Sequence, residues 1–151
     1  MISWSDWVLM GRVALAAALG FVIGWERESK GHPAGDRTYA LLALGAALFT
    51  ALGLQVFPAG ADKLVAGLVT GVGFLAGGVI LRSAAGEIRG LTTAASMWAV
   101  AGIGAVVGTG RYLLGVLLAG LVLLILVWEK LPVLSRFGHG RKDATAPRQD
   151  E

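Results

Sequence analysis

Long apolar runs separated by short charged interruptions make up most of this chain. Five runs, 7–25, 38–57, 64–81, 91–110 and 112–128, are long enough to cross a hydrocarbon core, which takes about 20 apolar residues, within a range of about 17–25. The last four hold no charged residue, and the first holds only Arg12. In lipid a segment has to satisfy its own backbone polar groups, and none of these runs alternates like a barrel strand, so each is predicted to be a helix. The predicted fold class is an all-α membrane protein, a bundle of five transmembrane helices.

Composition agrees with the pattern. With 56% hydrophobic and 15% charged residues, the chain lacks the roughly 25% charged residues that usually cover a water-soluble globule. The absence of cysteine removes thiolate metal sites and thiol nucleophiles. Trp4, Trp7, Trp25, Tyr39, Tyr112 and Trp128 stand at or beside the ends of runs, as an aromatic belt requires. Nothing basic precedes Trp7 and the first run exceeds a signal core, so it reads as a retained helix.

Charge sets the predicted orientation. Loop 26–37 carries Arg27, Lys30 and Arg37, loop 82–90 carries Arg82 and Arg89, and the segment from Glu129 onward carries five more basic residues. The opposite face has only Lys63 and Arg111. This asymmetry predicts an outside N-terminus and a cytoplasmic C-terminus. The expected organisation is a transmembrane domain over 1–131 and a mobile cytoplasmic tail over 132–151. The net charge of +3 resides in short segments mixed with acids, which suits anionic headgroups better than nucleic acid.

Glycines four apart occur at Gly20–Gly24, Gly67–Gly71, Gly73–Gly77 and Gly104–Gly108. Such pairs allow close helix approach in a bilayer, either inside one bundle or across a homodimer seam. Five glycines in the third run point to it as the central helix. The first two helices and the next two also form a candidate parallel repeat of helical hairpins, with the fifth helix added.

The two loops on the predicted inner face carry the chemistry. Asp36 is placed to cap helix 2 and Thr92 or Thr93 to cap helix 4. Beyond capping, Glu26, Glu28, Asp36 and Glu87 stand among Arg27, Arg37, Arg82 and Arg89. A salt-bridge lattice tying the two hairpins together is the simpler reading. A divalent-cation site is the sharper one, since Mg²⁺ needs only one or two carboxylates and keeps several waters. An anion site at the helix N-termini ranks third.

Arg12 is expected to snorkel to the outer surface. No Asp or Glu lies inside any run, which argues against proton- or cation-coupled transport. His32 and His139 have no partners at metal spacing, and no phosphate loop, dinucleotide fingerprint or nucleophile elbow is present, so no enzyme activity is expected.

At these loops the chain resembles the MgtC/SapB family of bacterial inner-membrane proteins. The matching stretches are GFVIGWERESKGHPAGDRTYALLALGAALF (20–49), GVGFLAGGVILR (71–82) and RGLTTAASMWAVAGIGAVVGTG (89–110). The family usually reads GIGFLGAG where this chain has GVGFLAGG. The resemblance implies a multi-pass protein of the bacterial inner (plasma) membrane associated with adaptation to low Mg²⁺ and, in pathogens, with virulence and survival inside host cells. It also implies a regulator of partner membrane complexes, one member being associated with inhibition of the F-type ATP synthase, and leaves Mg²⁺ as the candidate ligand. Family positions present here are Gly24, Glu26, Arg27, Gly35, Arg37, Thr38, Gly73, Phe74, Arg89, Gly90, Thr93 and Ala94, with Arg82 and Thr92 beside them. Better-known members continue into a cytoplasmic C-terminal domain; with its last residue at Glu151, this chain is expected to be a short form. The alternative function is an ion transporter or channel whose vestibule is formed by the four acids.

Overall fold

The computed structural model describes residues 4–82 and 88–127. Among them five α-helices run back and forth: α1 Trp4–Ser29, α2 Asp36–Val56, α3 Ala61–Gly77, α4 Leu91–Gly108 and α5 Tyr112–Val127. A 3₁₀ turn at Pro58–Gly60 leads into α3. By length and composition the first four can cross a membrane, and α5 adds an apolar helix of 16 residues. The chain is an all-α, multi-pass membrane protein. The expected tail over 132–151 lies outside the described residues.

Helix boundaries depart furthest from the apolar runs in two places, the ends of α1 and α3. Helix α1 continues past Trp25 to Ser29, so charges counted as loop belong to its last turns. It stops at Gly31, whose φ of 72° lets the His32 N–H turn back to the Arg27 carbonyl at 3.1 Å, the left-handed glycine ending of helices. Helix α3 stops at Gly77, short of the predicted Leu81, because two adjacent glycines, Gly77 and Gly78, weaken the helix there. The chain then forms a small antiparallel ladder of β1 (Leu81–Arg82) and β2 (Ile88–Arg89), with Leu81 opposite Arg89 and Arg82 opposite Ile88. No alternation of residues pointed to it.

Helix α2 is the centre of the bundle, packed between α1 and α4. Its buried face is built from Tyr39, Ala43, Ala46, Ala47, Thr50, Ala51 and Gly53, a ridge of mostly small side chains. Helix α1 meets it with Gly20 and Gly24: a Cβ at Gly20 would run into the Tyr39 carbonyl, and one at Gly24 would lie 2.6 Å from the Asp36 Cα. Helix α4 meets it from the other side with Gly104 and Gly108, where a Cβ would strike the carbonyls of Ala43 and Ala47. Backbones that close gain van der Waals contact, which is what associates helices in lipid. Gly115 of α5 instead makes room for the Val107 side chain of α4.

The expectation that α3 would be central is corrected. Only Val72 and Ala76 of α3 are buried, and a Cβ at Gly67, Gly71, Gly73 or Gly77 would meet nothing within 4 Å. Leu68 and Val72 of α3 pack on Ala46 and Ala101, and Leu64 packs over Gly53. These large side chains hold the α3 backbone away from its neighbours.

Candidate functional site

The charged end of the bundle, where α1 passes to α2 and α3 to α4, is organised by the last turns of α1. Helical geometry there separates Glu26, Arg27 and Glu28 onto different faces. Arg27 continues the buried stripe of Val13, Ala16, Gly20, Ile23 and Gly24 and is 3% exposed. Glu26 pairs with Lys30 one turn on, and more loosely with Arg27 at 3.8 Å. Lys30 also donates to the Leu126 carbonyl of α5 at 3.2 Å, so one ammonium joins the α1 ending to the last turn of α5. A cation at a helix C-terminus complements the negative end of its dipole.

Glu28 points toward α2. Its Oε2 accepts the Asp36 backbone N–H at 3.0 Å, placing a carboxylate at the N-terminus of α2, where the dipole favours one. Gly35 makes room for it, since a Cβ there would collide with the Glu28 carboxylate. Capping therefore differs from the expectation. Asp36 is the first residue of α2, and its own carboxylate accepts the Arg37 N–H; Gly35 holds the cap position with no side-chain bond. Thr92 and Thr93 lie inside α4, whose cap is Gly90 at φ 90°. A Cβ on Gly90 would enter the Val79 carbonyl, so close backbone approach, not a hydroxyl cap, explains this glycine.

Deeper in, Tyr39 is fully buried, and its hydroxyl lies 2.6 Å from Ser96 Oγ and 3.3 Å from the Thr93 carbonyl. Ser96 in turn donates to the Thr93 carbonyl at 2.9 Å. The Arg27 side chain interacts electrostatically with the Tyr39 hydroxyl. A polar chain thus runs from Lys30 and Glu26 through Arg27 to Tyr39 and Ser96, stitching α1, α2 and α4 at one level. Neither Tyr39 nor Ser96 was singled out from the sequence as functional. The available signal was a tyrosine and a serine at α-helical positions in otherwise apolar runs.

The remaining predicted positions scatter. Arg37, Thr38 and Thr92 are exposed, Thr93 is buried, and Gly73 and Phe74 lie on the outer surface of α3, with Phe74 84% exposed. Arg89 is exposed on β2, Arg82 stands opposite Ile88 on β1, and Glu87 lies outside the described residues. Glu26, Glu28 and Asp36 are engaged separately, and among the described residues no group of three or more His, Asp or Glu side chains forms a metal-binding set. What these residues do together is fasten helix ends.

Arg12, at the other end, does more than snorkel. It donates from Nη1 to the Gly108 carbonyl at 3.0 Å and from Nε to the Tyr112 hydroxyl at 3.3 Å. The guanidinium satisfies the C-terminus of α4 and sits against Gly110, whose φ of 87° shapes the α4–α5 turn.

Comparison with known proteins follows the same helices. The model of the MgtC family matches residues 13–132. SrpB of Synechococcus elongatus is 42% identical over 127 residues, covering 74% of this chain and 70% of SrpB. MgtC of Salmonella typhimurium is 43% identical over 97 residues, covering 64% of this chain and 42% of MgtC. YhiD of Escherichia coli, named provisionally as a magnesium transporter, is 41% identical over 125 residues, covering 76% of this chain and 57% of YhiD. The chain spans about half the length of the latter two relatives. No solved structure matches it.

Proposed function

This chain belongs to the MgtC family, and on that premise we propose that it is a bacterial inner-membrane regulatory protein linked to Mg²⁺ homeostasis, acting on partner membrane complexes without catalysis. The observation that carries this reading is where the acids lie. Asp6, Asp36 and Asp62 stand in the first turns of α1, α2 and α3, and Glu26 and Glu28 stand in the last turns of α1. Transporters that couple to protons or cations usually carry ionisable groups at mid-depth; the middles of the described helices hold Thr70 and apolar residues but no Asp or Glu. In the proposed orientation the charged end faces the cytoplasm, and a reporter fused after Phe57 is expected outside.

Partners of a regulator of this kind are other membrane complexes, and the family resemblance supplies the F-type ATP synthase as the first to test. Purified protein in liposomes should move Mg²⁺ no faster than empty vesicles, while crosslinking in native membranes should recover a stoichiometric membrane complex. Flux well above empty vesicles contradicts the reading.

The second reading, a Mg²⁺ transporter, is supported by the name of YhiD. In that version Glu26, Glu28, Asp36 and Glu87 form the vestibule, and Glu26→Gln with Asp36→Asn abolishes flux. Flux unchanged by both substitutions excludes it.

A further inference from the structure

Helices α2 and α3 diverge to leave an apolar groove of about 670 Å³, backed by Met97 of α4. Its floor is opened by Gly45, Gly67 and Gly71, where a Cβ would meet nothing within 4 Å. Along α3 the lining runs from Leu75 to Lys63, a length of about 18 Å at 1.5 Å per residue. The charged residue in this lining is Lys63, at the end of the bundle opposite Glu26 and Arg27. Its neighbour Asp62 lines a different cleft, with Thr50 and Thr109, so no carboxylate in the groove answers the ammonium.

Size and charge together select an occupant. The groove's length of about 18 Å is close to the roughly 15 Å that one leaflet contributes to a hydrocarbon core. An acyl chain entering from the interface at Lys63 would run the length of the groove toward Leu75. Apolar walls exclude a polar ligand from the depth of the groove, because nothing there would satisfy its hydrogen bonds. At the mouth, a Lys ammonium on its four-carbon stem reaches the interface and complements a phosphate. We propose that the α2–α3 groove binds one anionic phospholipid, with its acyl chains along Gly45, Gly67 and Gly71 and its phosphate at Lys63.

The glycines of α3 then open a lipid slot instead of seating a helix. Protein in neutral detergent is titrated with phosphatidylglycerol and with phosphatidylcholine of the same chains, and bound lipid is counted by native mass spectrometry. Wild type should retain one phosphatidylglycerol at least about fivefold more tightly than phosphatidylcholine, the worth of one lysine near an anionic headgroup. Lys63→Ala should bring the two lipids to parity, and Gly71→Leu should lose both while keeping its helical circular dichroism. Gly45→Leu serves as a second filled groove should Gly71→Leu fail to fold. Equal retention in wild type, a preference that survives Lys63→Ala, or lipid that survives both leucine substitutions overturns the proposal. Because the chain has no cysteine, Gly67→Cys adds a further arm: efficient crosslinking to a second copy in membranes assigns the groove to that copy and also overturns it.

Discussion

The two helical hairpins of this protein carry the same motif and use it differently. Gly20 and Gly24 of α1 press against the backbone of α2, while Gly73 and Gly77 of α3 face open space. Both pairs precede a charged connection and a second apolar helix. What differs is the surface opposite. Helix α2 offers α1 and α4 a ridge of alanines, over which bare backbone can settle. Helix α3 approaches through Leu64, Leu68 and Val72, which act as spacers. A small residue permits close approach; the partner's shape decides whether it happens.

The largest effect should come from filling a contact of the tight kind. Gly104→Leu forces a side chain into the Ala43 carbonyl and should destabilise by about 3 kcal/mol or more, beyond ordinary overpacking of about 1–3 kcal/mol. Reversible unfolding in mixed micelles measures it, and a loss below about 1 kcal/mol would break the comparison at its α4 side.

Arg27→Met comes next. It removes the buried cation beside Tyr39 and leaves Glu26 to Lys30 alone, and the expected loss is about 2 kcal/mol, less than the 3–5 kcal/mol of a fully broken buried pair. The same unfolding assay reads it, and a neutral result would mean that the polar chain does not fasten the tight hairpin.

Arg12→Leu sharpens the picture at the opposite end. Losing the donors to Gly108 and Tyr112 should cost about 1 kcal/mol and speed amide exchange in the last turn of α4. Smallest is Tyr39→Phe, at about 0.6 kcal/mol, the average for hydrogen bonds between membrane helices.

The extent of the fold that was legible follows from these physical scales. Charge-free runs fix where lipid is crossed, since a charge at mid-depth is costly, and α2, α4 and α5 begin within two residues of their predicted starts. The end of α1 was obscured because Glu26 to Lys30 reads equally as a charged loop or as a solvated helical turn. The i,i+4 pair of Glu26 and Lys30 was its one local sign. The position of α3 was hidden for a deeper reason: glycine spacing reports what a helix can do, and only the assembled neighbours report what it does. At the candidate site, the Glu28 carboxylate meets the Asp36 N–H across eight residues, in the room that Gly35 leaves, and no spacing rule connects a carboxylate to an amide across a turn of unknown shape. Arg27 was legible as a charge but not as a buried one, because its inward face depends on α1 continuing as a helix.

The paired substitutions Gly20→Ala and Gly73→Ala, each adding a single methyl, put the difference between the hairpins to the most direct measurement. At Gly20 the methyl meets the Tyr39 carbonyl and should destabilise by about 1–3 kcal/mol. At Gly73 it meets nothing and should stabilise by about 0.5–1 kcal/mol, the gain of alanine over glycine inside a helix. Opposite signs in the unfolding free energies are the expected result; equal losses at both positions would contradict it and return α3 to the interior of the bundle.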